Sequence, residues 1–109
     1  MKHIFLCLLL LLTAKAFCNE STGQITGCVQ DESNGKLPGV RVEISAPKAQ
    51  KKILTFTNES GCYKVPVPAG TYQVNFDLPG FNTATKTNVI VYNGRDAIVD
   101  HLLRISVKG

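Results

Sequence analysis

The side chains best suited to chemistry in this 109-residue sequence are its four cysteines and two histidines. His101 follows Asp100 in the last apolar stretch of the chain, a position that predicts a half-buried strand residue rather than a general base. No nucleophile elbow, phosphate-binding loop or pair of acids accompanies it. The cysteines and His101 also lack the spacing of a recognised zinc site. The sequence therefore predicts no enzyme activity, and no metal or other cofactor.

Charged and aromatic side chains give only weak signals for a ligand. Lys48, Lys51 and Lys52 form a cationic cluster, but without interleaved aromatic residues it predicts a solvated loop rather than a nucleic-acid site. Phe81 and Tyr92 are weak candidates for exposed aromatic residues near one end of the fold that stack on a sugar. The chain has no Trp to strengthen this carbohydrate-binding hypothesis.

Two Asn-x-Ser sequons begin at Asn19 and Asn58. They are glycosylation sites only in a eukaryotic secretory pathway, and the sequence does not identify its source. Asn58 has a structural explanation as well, because Asn favours the entry of a turn.

The N-terminus has the three parts of a secretory signal peptide. A positive start precedes an apolar run over 4–12, and Ala14-Lys15-Ala16 supplies small residues for cleavage. The run is shorter than the roughly 20 residues of a membrane-spanning helix, and no later segment is long and apolar enough to span. We expect a signal peptide at 1–16, with 18 as the alternative end, and a secreted or periplasmic protein.

The two cleavage sites leave different numbers of cysteines. Cleavage after 16 leaves three, whereas cleavage after Cys18 leaves two, an even number that suits one disulfide in an oxidising compartment. Lipidation of Cys18 is a further alternative, but Phe17 and Lys15 do not fit the residues that precede a lipidated cysteine. Loss of the leader with its two lysines lowers the formal net charge from +4 to +2.

The mature chain alternates short apolar-polar stretches with glycine and proline turns, and its length suits one domain. Pro66, Pro68 and Gly70 are expected to end the fourth strand, and Asn93-Gly94 favours a tight hairpin turn. A flexible N-terminus is expected at 17–23. We expect seven strands, at 24–31, 40–45, 53–57, 62–65, 71–78, 88–92 and 97–107.

A series of motif residues runs along the mature chain. In chain order they are Gly27, Val29, Asp31, Gly35, Pro38, Gly39, Val40, Gly61, Tyr63, Gly70, Tyr72 and Gly80. This ordered series resembles the carboxypeptidase regulatory-like family, a transthyretin-like or prealbumin-like fold. The resemblance covers the domain at 24–107 and implies an all-β, seven-stranded antiparallel Greek-key β-sandwich. We interpret the motif residues as fold residues, with Gly35, Gly61 and Gly70 where turns require a positive φ.

The resemblance also implies that the first and fourth strands are neighbours in one sheet. Cys28 and Cys62 would then lie side by side on its outer face, and we predict a disulfide between them. The alternative is two free thiols.

What the resemblance implies about function is a non-catalytic module with a binding or structural role, whose partner is a protein or a surface glycan. One alternative is a small-molecule carrier of the transthyretin type, which requires oligomers around a channel. The other is a surface carbohydrate-binding module. The sequence gives no oligomeric state.

Overall fold

A computed structural model describes residues 22–107, which form eight strands and one short 3₁₀ turn, Pro47–Ala49. The expected signal peptide, Cys18 and Asn19 lie outside the described residues. The first strand begins two residues earlier than expected, within the segment assigned to the flexible N-terminus. The strands are β1 (Thr22–Asp31), β2 (Arg41–Ala46), β3 (Lys51–Phe56), β4 (Cys62–Pro68), β5 (Gly70–Asp77), β6 (Ala84–Val91), β7 (Asp96–Ile98) and β8 (His101–Leu103).

Two packed sheets make the β-sandwich that the sequence predicts. One sheet contains β4, β1 and then β7 and β8, and the other has the order β3-β2-β5-β6. Neighbouring strands are antiparallel except that β7 and β8 both pair with β1 in parallel. Val40, just before β2, and Val42 and Ile44 within β2 are all fully buried. Together with Val74 and Phe76 of β5 they lie in the centre of a single core.

The fourth strand does not end at its prolines, as expected from the sequence, but runs through Pro66 to Pro68. It is an edge strand, paired only with β1. The backbone N–H of Cys62 points away from β1 and donates to Asn58 Oδ1. Pro66 and Pro68 lie four and six residues after Cys62, so their nitrogens also point away from β1. Their missing N–H groups therefore cost no hydrogen bond between β4 and β1.

The last predicted strand is divided into β7 and β8 by Val99 and Asp100. At this point the Asp100 carboxylate, rather than a backbone carbonyl, accepts the hydrogen bond from the Cys28 N–H at 2.8 Å. A side chain has thus replaced one rung of the ladder, and pairing with β1 resumes at His101. A further bridge pairs Ile105 with Phe81.

The Asn93-Gly94 turn forms, but the hairpin prediction is wrong. Gly94 has a positive φ of 74°, yet the turn connects β6 in one sheet to β7 in the other. The reason lies in β1, which captures the chain after β6: the Gly94 N–H donates to the Thr22 carbonyl, and the Gln24 N–H donates to the Arg95 carbonyl.

Only one of the three expected positive-φ glycines has that conformation. Gly61 has φ +77°, whereas Gly35 and Gly70 do not have a positive φ. In the first turn Asn34 takes the left-handed conformation instead, with φ 66°. At Gly35 a Cβ would lie 2.9 Å from Oδ2 of Asp31, so a larger residue would require this carboxylate to shift.

Candidate functional site

An apolar cleft of about 590 Å³ opens at one end of the sandwich, which we call the end cleft. Its floor is the edge of the hydrophobic core, formed by Ile44 on β2, Ile53 on β3 and Tyr72 on β5. Lys48 and Lys51 line it at the solvent side, where both side chains are exposed. The arrangement is an apolar pocket with two cationic groups at its mouth.

Two turns shape the end cleft. Pro47 begins the 3₁₀ turn after β2, and Gln50 closes that turn in the left-handed conformation, with φ 50°. On the other side, the chain passes from β4 to β5 through Ala69. The Tyr72 hydroxyl donates to the Pro68 carbonyl at 2.6 Å, which fixes this connection. Burial raises the pKa of Tyr72, so this hydroxyl stays protonated and donating.

The lysines at the mouth have no acidic partner within residues 22–107. Two ion pairs occur in this part of the chain, Arg41 with Glu43 and Arg104 with Glu32, and neither includes Lys48 or Lys51. We expected all three lysines in a solvated loop. Lys48 lies in the turn after β2, whereas Lys51 and Lys52 belong to β3. Alternation along β3 is the signal that could have revealed the position of Lys51 at the cleft, since Lys51 and Ile53 lie on the same face of the strand.

The two cysteines predicted to pair are directly opposite each other in β1 and β4, with their Cα atoms 3.9 Å apart. A Cys28–Cys62 disulfide joins them on the outer face of the sheet. Asn58 stabilises the turn that leads into Cys62, because its Oδ1 accepts hydrogen bonds from the N–H groups of Ser60 and Cys62. The structural explanation for Asn58, turn formation, is therefore seen directly.

His101 is half-buried in β8, as the sequence predicts, and its ring stacks on Phe76 at a centroid distance of 5.3 Å. Burial lowers the pKa of His101, and the positive charge of Lys86 lowers it further. The neighbouring Asp100 carboxylate is occupied by the Cys28 N–H. The contacts of His101 are therefore those of a packed strand residue.

The motif residues carry structural hydrogen bonds and close contacts. Tyr63 is buried and donates from its hydroxyl to the Val99 carbonyl at 2.6 Å. Burial raises the pKa of Tyr63, and the nearby Asp100 raises it further. Asp31 Oδ1 accepts from the N–H groups of Ser33 and Gly35, each at 2.8 Å, which closes the first turn.

The two aromatic candidates for sugar stacking do not share a surface. Tyr92 is exposed and follows β6 at the end where Gly70 pairs with Val91, the end that holds the cleft. Phe81 lies beyond the opposite end of β5, is only half exposed and packs against the core. The expectation that both lie near one end is wrong, because the eight residues of β5 separate them.

Within the described range, no three His, Cys, Asp or Glu side chains are close enough together to hold a metal ion. None of the helical structure found in residues 22–107 has the length and apolar character to cross a membrane.

Solved structures with a similar fold come from proteins of several kinds. The Bacillus anthracis TIE protein has 21% identity and a TM-score of 0.68, over 78% of this chain and 17% of that chain. Wild-type Acinetobacter radioresistens catechol 1,2-dioxygenase has 11% identity and a TM-score of 0.68, over 83% and 54%. The dioxygenase domain of a dioxygenase carbohydrate-binding protein fusion from Streptomyces sp. SirexAA-E has 12% identity and a TM-score of 0.63, over 81% and 82%.

At these identities the likeness shows a shared fold alone, and this chain spans only 17% and 54% of the first two proteins. No curated protein matches the sequence. The carboxypeptidase regulatory-like domain model, in contrast, matches residues 24–104, which include both sheets, the disulfide and the end cleft. The chain therefore belongs to the carboxypeptidase regulatory-like domain family.

Proposed function

We propose that this chain is an exported, non-catalytic β-sandwich module with a binding or structural role outside the cytoplasm. The observation that carries the proposal is the Cys28–Cys62 disulfide. Disulfides form and persist in oxidising compartments and are rare in the cytosol. The same compartment is the destination of a chain that begins with a signal peptide.

The non-catalytic part of the proposal is supported by what the chemically capable side chains do. The Asp100 carboxylate binds a backbone N–H, the Tyr63 hydroxyl binds a backbone carbonyl, and the His101 ring packs on Phe76. Each of these groups stabilises the fold. The family itself is a regulatory, non-catalytic type of domain.

Small-molecule carriage is a second candidate, favoured by the end cleft. The cleft lies within a single copy of the chain. A carrier of this kind needs no channel between subunits, unlike the transthyretin type considered from the sequence. The sugar-binding alternative has less support, because Phe81 and Tyr92 lie at opposite ends of the sandwich.

Export is tested by producing the full chain, with its own N-terminus, in a bacterial and in a eukaryotic secretory host. We expect the protein in the periplasm or the medium, with an N-terminus at residue 17 or 19. A chain that keeps residue 1 and stays in the cytoplasm of both hosts contradicts the proposal. An acylated N-terminus at Cys18 would instead establish the lipidation alternative and contradict cleavage after residue 16 or 18.

A further inference from the structure

We infer that the end cleft binds a small amphipathic anion, meaning an acyl chain or ring system that carries one carboxylate or sulfate group. The inference rests on the proposed function in that it names a ligand for the exported module. The apolar part and the charged part of the proposed ligand are supported by different residues of the cleft.

The interior of the cleft suits an apolar body. Ile44, Ile53 and Tyr72 form the floor, with Pro47 and Pro68 on the two sides. The volume of about 590 Å³ falls in the range of roughly 300 to 1,000 Å³ that is usual for small-molecule sites. Burying apolar ligand surface here is favourable at about 25 cal/mol per Å².

The floor of the cleft offers no free polar side chain that would select a polar body, and the Thr71 hydroxyl in the lining belongs to an exposed residue. The Tyr72 hydroxyl already donates to the Pro68 carbonyl. Across residues 22–107, every buried side-chain nitrogen or oxygen has a hydrogen-bond partner. A ligand with hydroxyl or amide groups along its body would lose its own hydrogen bonds to water without replacement.

The mouth of the cleft supplies the charge selection. Lys48 and Lys51 lie on the same side of the apolar floor, one in the 3₁₀ turn and one in β3. Neither ammonium lies within 4.0 Å of a carboxylate of the described chain. Two such cations attract a negatively charged head group and repel a positive one.

The experiment is a methyl NMR titration of the oxidised, exported protein with three probes that share a ten-carbon chain. Decanoate carries the negative head group, decanol is neutral and decyltrimethylammonium is positive. We expect decanoate to shift the methyl signals of Ala46, Ile53 and Ala69, and to bind more tightly than the neutral or positive probe.

The charge requirement is tested with a Lys48→Gln/Lys51→Gln double variant. Its matched control is Lys36→Gln/Lys64→Gln, which removes two exposed lysines that lie away from the cleft. We expect the first variant to weaken decanoate binding about threefold to tenfold at low salt, as two exposed charge contacts allow. The control should bind like the parent, and added salt should reduce the difference.

Three results would overturn the inference. The first is equal binding of the anionic and cationic probes. The second is methyl shifts confined to other surfaces, such as exposed Ile98 and Leu102. The third is the absence of any shift in the methyl signals of Ala46, Ile53 and Ala69 with decanoate. None of these results bears on export or on the disulfide, so failure of this inference is distinguishable from failure of the proposed function.

Discussion

The backbone of Val99 contacts Tyr63, Thr26 and Gly27. The Tyr63 hydroxyl donates to it at 2.6 Å, and the Val99 N–H donates to the Thr26 carbonyl at 2.8 Å. Gly27 faces the same carbonyl so closely that a Cβ would overlap it. The glycine is therefore required by packing between β1 and the chain that links β7 to β8.

Replacing this glycine tests the packing explanation. We expect Gly27→Ala to lower the free energy of unfolding by about 2 to 3 kcal/mol, the usual cost of forcing atoms into a filled interior. Gly70→Ala is the matched control, because the nearest atom to its added Cβ lies 3.7 Å away. Urea denaturation of both variants provides the measurement. Equal stability of the two variants would contradict the explanation.

The stability of the fold should depend on pH through His101. The pKa of His101 lies below its ordinary value of 6.5 in the folded chain, because of burial and the charge of Lys86. The unfolded chain therefore binds a proton at His101 more readily than the folded chain does. The contribution of neutral His101 to the free energy of unfolding is fully present above about pH 6.5, and it is lost as the pH drops through the lowered pKa.

The measurement is the change in Tm between pH 7.5 and pH 5 for the parent and for His101→Gln. We expect the parent to lose more of its Tm on acidification than the variant does, since the variant lacks the group that titrates. An NMR titration of the His101 ring should give a pKa below 6.5. An identical loss of Tm in both proteins would show that His101 is not responsible.

The residue types at the turns were only partly predictable from the sequence. Gly61 was placed correctly because a turn between two strands often needs a positive φ there. Gly35 depends instead on how the Asp31 carboxylate folds over its own turn, and Gly27 on the carbonyl of Val99, which is distant in the sequence. Such contacts become visible only once the chain is folded.

At the scale of elements, the pairing of β1 with β4 determines the covalent structure. The register places Cys28 opposite Cys62, and the disulfide closes a loop with a sequence separation of 34 residues. The pairing could be expected from the family resemblance and is confirmed. The course of β4 through its prolines could not, because it depends on which edge of the strand β1 occupies.

Removing the disulfide should weaken the whole domain. We expect Cys28→Ala/Cys62→Ala to lower the free energy of unfolding by about 3 to 4 kcal/mol, because the unfolded chain regains the freedom of that loop. The urea midpoint of the variant should match that of the parent protein measured with a reductant. An unchanged midpoint would show that the bond does not constrain the unfolded chain.

At the scale of the whole molecule, alternating apolar residues predicted the strands, and the family resemblance supplied their arrangement as a two-sheet sandwich. The end cleft was not predictable in this way, because it depends on how the 46–50 turn and the β4–β5 connection lie relative to each other. The lysines at its mouth were visible in the sequence, but as a loop cluster without an apolar neighbour. Their position beside Ile53 follows from the start of β3 at Lys51.

The most decisive measurement is the covalent state of the exported chain, because we propose an exported module closed by one cross-strand disulfide. Free thiols would be alkylated before and after reduction, and the peptides that contain Cys28 and Cys62 would be identified by mass spectrometry. We predict that both cysteines are protected until a reductant is added, and that they are linked to each other. Complete alkylation of both without reductant would contradict it.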